Sequence, residues 1–305
     1  MASSLTALSE QIAATVERVA ASVVAVHARS RFNSSGVHWS PGVVVTADHT
    51  IRRDDEIRIN GAGEGGPATE LRATLAGRDP GTDLAVLRVE GLSQPVAARA
   101  TSEVLKPGHL VLAVGRNGES PNAAIGVVSS LSGPSQTWRG GHLDQVIRLD
   151  LTLHPVAAGG AVVDAAGQLI GIATPVLSRV SVFAVPLATV DRAVATILAH
   201  GRVPRGYLGA GLQPVALPEH LTSSSGPAAS SGLIVVSVDP QAPAGKAGIL
   251  IGDILLELNG RGAGSIEDVR AILDSDSIGK TFKGRVLRGG NVAPVEITIG
   301  ERPGR

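Results

Sequence analysis

Residues 151–164 read Leu-Thr-Leu-His-Pro-Val-Ala-Ala-Gly-Gly-Ala-Val-Val-Asp, and the interpretation of the whole chain starts from this stretch. A proline is followed by small residues, two glycines and an apolar strand, which is the frame of a loop that carries a nucleophile. The residue directly before the two glycines is Ala158. Its methyl group has no oxygen to attack a carbonyl, so the frame of a nucleophilic site is present without its reacting group.

Around this loop, short apolar runs recur from Ser22 to about Val190, separated by Gly, Pro, Asp and Asn. Four of these runs are 23–26, 42–46, 84–89 and 110–114. Runs of this length between turn residues predict β-strands, and their regular recurrence predicts a barrel or a sandwich. We therefore expect this part of the chain to be mainly β.

Helical patterns lie on both sides of the β-rich part. Residues 5–20 carry apolar side chains three and four positions apart, which predicts an amphipathic helix. The segment Leu187–His200 predicts a second helix, because Pro186 precedes it and Gly201 follows it.

These patterns predict a domain organisation. An N-terminal helix within 1–20 would precede a first domain over 21–200. A linker over 201–206 would lead to a second domain over 207–303. The polar tract 221–231, rich in Ser and Gly, predicts a mobile loop inside the second domain.

Composition argues against several classes of protein. The 305 residues include no Cys, which excludes disulfides and thiolate metal sites, and the eight His show no metal-ligand spacing. Basic and acidic residues number 27 each and aromatic residues make up 2%, so we expect no nucleic-acid partner. We expect no cofactor, no metal and no membrane span, because no run approaches the ~18 apolar residues that a span needs.

The N-terminus, Met1-Ala2-Ser3-Ser4, shows no secretion signal. The sequence as written therefore predicts a cytoplasmic location. A periplasmic or otherwise extracytoplasmic location is expected if an upstream segment was removed.

Two further segments place acid–base residues beside strands. His49 follows the run 42–46, and Asp83 directly precedes the run 84–89. In acyl transfer, an imidazole removes the proton of the nucleophile, and a carboxylate holds the imidazole in the correct tautomer and stabilises its charge. Each signal alone is weak. Together, His49, Asp83 and the Ala158 loop in this chain order predict a triad that has lost its nucleophile.

These segments resemble the HtrA (Deg) family of trypsin-like serine proteases that carry a PDZ domain. The family's Thr-x-x-His-Val pattern is similar to Thr46–Ile51, and its Thr-Asp-Leu-Ala-Val-Leu pattern is identical to Thr82–Leu87. Its Pro-Gly-Asn-Ser-Gly-Gly-Pro loop aligns with Pro155–Ala161. The resemblance covers nearly the whole chain. It implies a chymotrypsin/trypsin-like double β-barrel with the catalytic roles of His and Asp at His49 and Asp83.

The loop departs from the family pattern at several positions. Ala158 replaces the nucleophilic serine, and Val156 replaces a glycine whose N–H is one of two donors to the oxyanion of the tetrahedral intermediate. Ala157 and Ala161 also differ from the usual residues. Losing one such donor costs about 10²–10³ in rate, and losing the nucleophile costs about 10⁶. We therefore expect a barrel without proteolytic activity.

Two other interpretations of the loop compete with natural loss. A serine-to-alanine change made to trap a substrate complex would explain Ala158 but not the other three departures. A different hydroxyl, at Thr152, Ser178 or Ser181, could have taken over, although no spacing supports it. Without a nucleophile, His49 and Asp83 could persist as a satisfied polar contact, or His49 could activate water on a labile ester.

The second domain resembles the bacterial type of PDZ domain. The glycines of Arg205–Gly211 would expose backbone N–H groups to a carboxylate, and the strand that follows would offer an edge to a peptide. Pro243–Ile249 predicts a helical turn, and Gly252–Gly260 predicts a strand entering an Asn-Gly hairpin turn. Ser265–Leu273 predicts a helix with a serine cap.

By this resemblance, two sets of residues would bind a peptide. The terminal carboxylate would lie against Tyr207, Leu208, Gly209 and Ala210. The last side chain would enter a pocket lined by Ile266, Val269 and either Ile272 or Leu273. The apolar residues of the helix could instead fill the domain core, because such a helix must bury one face in any case.

The sequence thus predicts a pseudoprotease that binds peptides or protein C-termini through its PDZ domain. It would act as a scaffold, a substrate holder or a regulatory partner of a related active protease. One competing prediction is a serine endopeptidase of the same family in protein quality control, here in an inactive form. Another is a structural component that uses the barrel for oligomer contacts, since family members often form trimers through the N-terminal segment of the barrel.

Overall fold

The predicted strands form two closed barrels in the first part of the chain and an antiparallel sheet in the second. The computed structural model describes residues 4–29, 32–61, 70–100, 105–178, 180–217 and 231–303. Contacts divide the chain into two compact units, Met1–Val203 and Pro204–Arg305. The expected double barrel is confirmed. The polar tract 221–231, apart from its last residue, lies outside the described residues.

An amphipathic helix, α1 (Ser4–Ala20), opens the first unit, as its apolar spacing predicts. Val19 and Ala20 are buried, and Val16 packs beside them against a core cluster that draws on both barrels. Leu5, in the first turn, is 77% exposed. The helix is therefore anchored through its C-terminal half.

The first barrel has six antiparallel strands. They are β1 (Val23–His27), β2 (Ser34–Ser40), β3 (Val43–Ala47), β4 (Ile57–Asn60), β5 (Glu70–Asp79) and β6 (Leu84–Val89). They close in the order β1-β2-β3-β6-β5-β4. Ala47 of β3 pairs with Leu84 of β6, so residues just after β3 meet residues just before β6.

The second barrel is built in the same way. Its chain contains β7 (Leu110–Asn117), β8 (Ser120–Ser132), β9 (Ser135–Gln136), β10 (His142–Leu143), β11 (Val146–Asp150), β12 (Ala161–Asp164), β13 (Leu169–Thr174) and β14 (Val182–Pro186). Six of these strands close in the order β11-β14-β13-β12-β7-β8, and β9 pairs with β10 separately. The Ala158 loop therefore connects β11 to β12.

Successive side chains of a strand point to opposite faces of the sheet, and in this unit both faces carry buried apolar side chains. In the first barrel, Val24, Ile59 and Leu87 belong to one buried cluster. Val45 and Val86 belong to another cluster, which they share with residues of the second barrel and of both helices of this unit. The two barrels are thus joined through an apolar core.

The second helix, α2 (Leu187–His200), has the bounds that the sequence predicts. Pro186 precedes its first residue. Gly201 ends it with a φ of 75° and an N–H bond to the C=O of Ile197, which is the left-handed cap that glycine favours.

A buried arginine ties α1 to both barrels. Arg116, on β7, is 3% exposed, and desolvation lowers the pKa of its guanidinium. The guanidinium donates hydrogen bonds to the C=O groups of Ala20, Val23 and Glu119 at 2.6, 2.7 and 2.6 Å. These carbonyls solvate the buried charge and fix the end of α1 and the start of β1 against β7.

The second unit contains eight strands and two helices among the residues described. The strands are β15 (Gly206–Tyr207), β16 (Ala210–Ala216), β17 (Ser231–Val238), β18 (Ile254–Leu258), β19 (Arg261–Gly262), β20 (Thr281–Arg288), β21 (Asn291–Thr298) and β22 (Gly300–Glu301). The helices are α3 (Pro243–Lys246) and α4 (Ile266–Ile272). The main sheet has the order β16-β17-β18-β20-β21, with β19 on β18, and β15 pairs with β22.

The predicted Asn-Gly hairpin turn is confirmed between β18 and β19. Asn259 and Gly260 have φ angles of 51° and 74°, and Leu258 pairs with Arg261 across the turn. Two successive positive φ angles define the turn type that Asn-Gly favours.

Within the described ranges, no helix is both long enough and apolar enough to cross a membrane.

Candidate functional site

His49 and Asp83 meet because of the strand pairing between β3 and β6. A short 3₁₀ turn, Asp48–Thr50, follows β3 and carries His49, while Asp83 directly precedes β6. His49 Nδ1 lies 2.8 Å from Asp83 Oδ2 and 3.0 Å from Asp83 Oδ1. The backbone N–H of His49 also donates to Asp83 Oδ1 at 2.9 Å. Since the carboxylate only accepts, Nδ1 carries the proton of this contact.

Asp83 is held in an unusual conformation. Its side chain is 0% exposed, and its φ of 59° lies in the left-handed region, which Asp tolerates better than most residues. Thr174, the last residue of β13, donates from Oγ1 to Asp83 Oδ2 at 2.5 Å. The second barrel thus supplies one of the donors to a carboxylate of the first. The sequence did not point to Thr174, whose only signal is a polar residue at the end of an apolar strand.

The surroundings of this pair are acidic. Asp48, next to His49, is 8% exposed, and desolvation raises the pKa of its carboxyl. The charge of Arg78, with its hydrogen bond of 3.2 Å to Asp48 Oδ1, opposes that rise, while the charge of Asp83 adds to it. Arg78 therefore balances the negative charge behind the His49–Asp83 pair.

The Ala158 loop packs against the end of β3. Ala158 is 1% exposed, and its C=O accepts a hydrogen bond from Ser35 N–H at 3.0 Å. Gly159 has a φ of 79°, and a Cβ there would lie 2.5 Å from both Ala47 N and Ser35 O. Glycine is required at this position, and the close approach places the loop beside the chain that leads to His49.

The backbone before Ala158 is folded into a 3₁₀ turn, Pro155–Ala157. Such a turn directs N–H groups back along its own axis. Ala157 N–H donates to His154 C=O at 2.8 Å, and Val156 N–H points to His154 Nδ1 at 3.4 Å. Ser35 Oγ donates to Val156 C=O at 2.6 Å. The amide of Val156, 3% exposed, is thus engaged within the loop instead of facing a reacting carbonyl.

The three alternative hydroxyls lie elsewhere on the second barrel. Ser178 and Ser181 line a cavity of about 430 Å³ that they share with residues of β11 and β14. Ser178 Oγ accepts a hydrogen bond from Val180 N–H at 3.1 Å, and Thr152 is exposed. Among the described residues, no hydrogen bond joins any of the three to His49.

In the second unit, the four residues predicted to bind a carboxylate run from the end of β15, at Tyr207, to the start of β16, at Ala210. Tyr207 lies in β15, where it pairs with Gly300, and Leu208 is 5% exposed in the core. Gly209 has a φ of 75°, and a Cβ there would collide with Ala242. The C=O groups of Leu208 and Gly209 accept hydrogen bonds from Ala244 N–H at 2.7 Å and Asp239 N–H at 2.9 Å. These two hydrogen bonds hold the backbone of Leu208 and Gly209 in a tight loop that precedes β16.

The strand after this loop lies at the edge of the main sheet. In the part of the chain that the structure describes, β16 pairs with β17 alone. The helix α4 packs beside β16 and begins at Ser265, which forms a capping box with Asp268. Ile266 is half-buried, whereas Val269 and Ile272 are 3% and 6% exposed and belong to the core cluster of the unit. The edge strand β16 and the helix α4 therefore lie next to each other.

Groups of His, Asp and Glu that could hold a metal ion do not occur within the described ranges.

Two protein families match the chain. Residues 34–172 match the family described as Trypsin-like peptidase domain, and residues 206–299 match the family described as PDZ domain.

The curated relatives are longer than this chain. A "Probable periplasmic serine endoprotease DegP-like" of Pseudomonas fluorescens is 30% identical over 271 residues, which cover 86% of this chain and 54% of that protein. A protein of the same name from Halomonas elongata is 30% identical over 281 residues, which cover 90% and 57%. The chain thus spans about half the length of the curated relatives it matches.

Solved structures match over their whole length. The serine endoprotease from Yersinia pestis has a TM-score of 0.72 and 30% sequence identity, covering 96% of this chain and 98% of that one. The HtrA-type protease AlgW with a decapeptide has a TM-score of 0.73 and 27% identity, covering 96% of this chain and 99% of that one. The similarity includes both units.

Proposed function

Because the chain belongs to the HtrA family of trypsin-like serine proteases that carry a PDZ domain, we propose that it is a pseudoprotease whose task is binding. Its barrels do not cleave peptide bonds, and its PDZ domain holds peptides or exposed protein C-termini. The observation that carries the proposal is the loop at Ala158, where a buried methyl group stands at the nucleophile position.

Two features of the loop support inactivity. Ala158 offers no oxygen, and loss of the nucleophile costs about 10⁶ in rate in a comparable enzyme. The Val156 N–H, at the oxyanion position, is engaged with His154. Losing one oxyanion donor costs about 10²–10³ in rate. We infer that His49 and Asp83 persist here as a polar contact that satisfies a buried carboxylate.

The test compares casein cleavage by the unchanged chain, by Ala158→Ser, and by Ala158→Ser combined with Val156→Gly. We expect no cleavage by the unchanged chain, and cleavage by Ala158→Ser about 10²–10³ slower than by the double variant, because a serine at 158 would still lack the second oxyanion donor. The double variant carrying His49→Ala is the matched control, since any genuine rescue must disappear in it. Cleavage by Ala158→Ser at the rate of the double variant would contradict the proposal.

That outcome would favour the second candidate, a serine endopeptidase of the same family in protein quality control, present here in an inactive form. The observation in its favour is the intact contact of His49 with Asp83, at 2.8 Å. This is the arrangement that orients a catalytic imidazole.

For the PDZ domain we propose a carboxylate site at Tyr207, Leu208, Gly209 and Ala210. The peptide would add to the free edge of β16 and place its last side chain near Ile266, with Val269 and Ile272 behind it. Addition of a strand to a sheet edge provides affinity through backbone hydrogen bonds, and the pocket provides specificity.

The binding test uses fluorescein-labelled peptides with a free or an amidated C-terminus. We expect binding of the free carboxylate form and its loss in Gly209→Ala, because a methyl group there collides with Ala242. Gly262→Ala is the matched control, because no atom lies within 4 Å of a Cβ at that position. Equal binding of free and amidated peptides would contradict the carboxylate site.

A further proposal concerns the assembly of the protein. We propose a scaffold or regulatory role beside a related active protease, and a homotrimer as its form. Sedimentation of the chain alone and with a candidate protease tests both, and a defined oligomer without peptide binding would support the structural role instead.

The relatives are named periplasmic, so we propose an extracytoplasmic location over a cytoplasmic one. Fractionation of cells that express the protein tests it.

A further inference from the structure

A cavity of about 260 Å³ lies in the second unit. Its walls come from the hairpin between β18 and β19, the C-terminal end of α4, the turn that follows α4, and the start of β20. Ile272 and Phe282, which are 6% and 8% exposed, form its apolar part. Among the residues described, neither β16 nor the loop before it contributes to the lining. The cavity is therefore separate from the sheet edge proposed for peptides.

The acidic side of this cavity is held by a network of hydrogen bonds. Asp274 Oδ1 accepts from Ser277 N–H at 2.8 Å, and the Asp274 C=O accepts from Ser277 Oγ at 2.7 Å and from Gly206 N–H at 3.2 Å. A Cβ at Gly206 would lie 2.5 Å from Ser277 Oγ, so β15 packs directly against this turn. Asp276 lies in the same turn and lines the cavity as well. The turn thus holds two carboxylates at one side of the cavity.

The basic side consists of Arg261 and Lys280. Arg261 begins β19, which pairs with β18. The Lys280 N–H donates to Ser277 C=O at 3.1 Å, and its C=O accepts from Ile299 N–H at 2.9 Å. Both cationic side chains therefore extend from backbone positions that are fixed by hydrogen bonds.

The four charged side chains around the cavity do not neutralise one another. All four are exposed, and within the described ranges no ion pair joins the two basic residues to the two acidic ones. Because opposite charges attract, a ligand with one cationic and one anionic end can satisfy both sides at once. Guanidinium and ammonium groups bind a carboxylate through charge-assisted hydrogen bonds, and carboxylates bind an ammonium in the same way. The charges therefore favour a zwitterion.

The volume of the cavity limits the size of this ligand. A water molecule occupies roughly 30 Å³ of liquid, so the cavity has room for about nine non-hydrogen atoms. We propose that it binds a free amino acid with an aliphatic side chain, of the size of leucine. The ammonium of the amino acid contacts the acidic side, its carboxylate contacts the basic side, and its side chain packs on Ile272 and Phe282. The second unit then holds a small molecule at a site distinct from the one proposed for peptides.

The test is an NMR titration of the ¹⁵N-labelled full-length chain, in which the amide shifts of residues 274–280 report on the cavity. The probes are L-leucine, L-leucinamide, which lacks the carboxylate, and N-acetyl-L-leucine, which lacks the ammonium. L-leucine should bind about tenfold more tightly than either of the other two, because each of them loses hydrogen bonds between charged groups.

Two variants connect each end of the ligand to its side of the cavity. Lys280→Met should weaken binding of L-leucine about tenfold and leave that of L-leucinamide unchanged, since this probe has no carboxylate for Lys280 to contact. Asp276→Asn should weaken L-leucine and leave N-acetyl-L-leucine unchanged. Lys283→Met is the matched control, because Lys283 is exposed on β20 and does not line the cavity.

Four outcomes would each overturn the proposal. They are the absence of shifts at 274–280 with L-leucine, shifts at 207–211 in their place, equal affinity for the three probes, and equal effects of Lys280→Met and Lys283→Met. Shifts at 207–211 would assign the ligand to the carboxylate site proposed above. None of the four outcomes contradicts the binding of peptides at that site.

Discussion

Thr174→Val should destabilise the first unit more than Thr189→Val, although the two threonines make the same pair of hydrogen bonds. Thr174 Oγ1 donates to Asp83 Oδ2 at 2.5 Å and accepts from Val176 N–H at 3.3 Å. Thr189 Oγ1 donates to Asp144 Oδ2 at 2.7 Å and accepts from Asp144 N–H at 2.9 Å. The threonines are 0% and 1% exposed. Valine has a similar shape, so packing changes little in either variant.

The difference lies in the two carboxylates. The Asp83 side chain is 0% exposed, whereas that of Asp144 is 34% exposed and has Arg192 Nη1 at 2.6 Å. Removing a hydrogen bond from a buried charged group costs about 1.5–3 kcal/mol of unfolding free energy. At Asp144, water and Arg192 compensate for the lost donor, which leaves a cost of about 0.5–1.5 kcal/mol. We therefore expect Thr174→Val to be the more destabilising change by about 1 kcal/mol or more.

The assay is urea unfolding followed by tryptophan fluorescence. Trp39 and Trp138 both lie in the first unit, so this signal is silent to unfolding of the second. An equal cost for the two variants, or a larger cost for Thr189→Val, would refute the view that Asp83 is a buried charge dependent on its donors. The proposed structural role of the His49–Asp83 pair would then lose its energetic basis.

Three further predictions concern other parts of the chain. The pKa of Asp253 is held below its ordinary value of 3.8, chiefly by the hydrogen bond from Arg288, so the second unit should lose stability as the pH falls below 3.8. Hydrogen exchange of β18 amides should show this loss, and Asp253→Asn should reduce it. Arg116→Met removes three hydrogen bonds from a charged donor and should cost about 2–4 kcal/mol, seen as faster exchange at the end of α1. Gly159→Ala combines a φ of 79° with contacts of 2.5 Å and should cost about 2–5 kcal/mol in thermal or urea unfolding, whereas Gly133→Ala, with no atom within 4 Å of its Cβ, should cost little.

The sequence predicted best those elements whose determining residues lie within the element or directly beside it. The bounds of α2 follow from Pro186 and Gly201, which are themselves the residues at its two ends. The hairpin at Asn259-Gly260 follows from residue types that favour two successive positive φ angles. In each case the physical cause lies within a few residues of its effect.

The contacts that complete the site could not be predicted in this way. Thr174 reaches Asp83 across 91 residues, and Trp138 reaches Val176 across 38. A threonine at a strand end or a tryptophan in a turn has no local feature that names its partner. Tyr207 pairs in β15 with Gly300, near the far end of the unit, and no local feature of the sequence indicates that pairing. These long-range partners are determined by the pairing of the strands in the barrels and in the sheet, which a local pattern does not contain.

The hydrogen bonds from Arg116 to the C=O groups of Ala20 and Val23 constrain the order in which the chain can fold during synthesis. Ala20 and Val23 leave the ribosome first, and the guanidinium that binds their carbonyls follows 96 and 93 residues later. At about 5–20 residues per second, the end of α1 waits roughly 5–19 s for its partner. The end of α1 and the start of β1 therefore cannot reach their final contacts before β7 has been made. The two barrels should mature as a single cooperative folding unit, and a nascent chain stalled between them should leave α1 undocked and open to proteases.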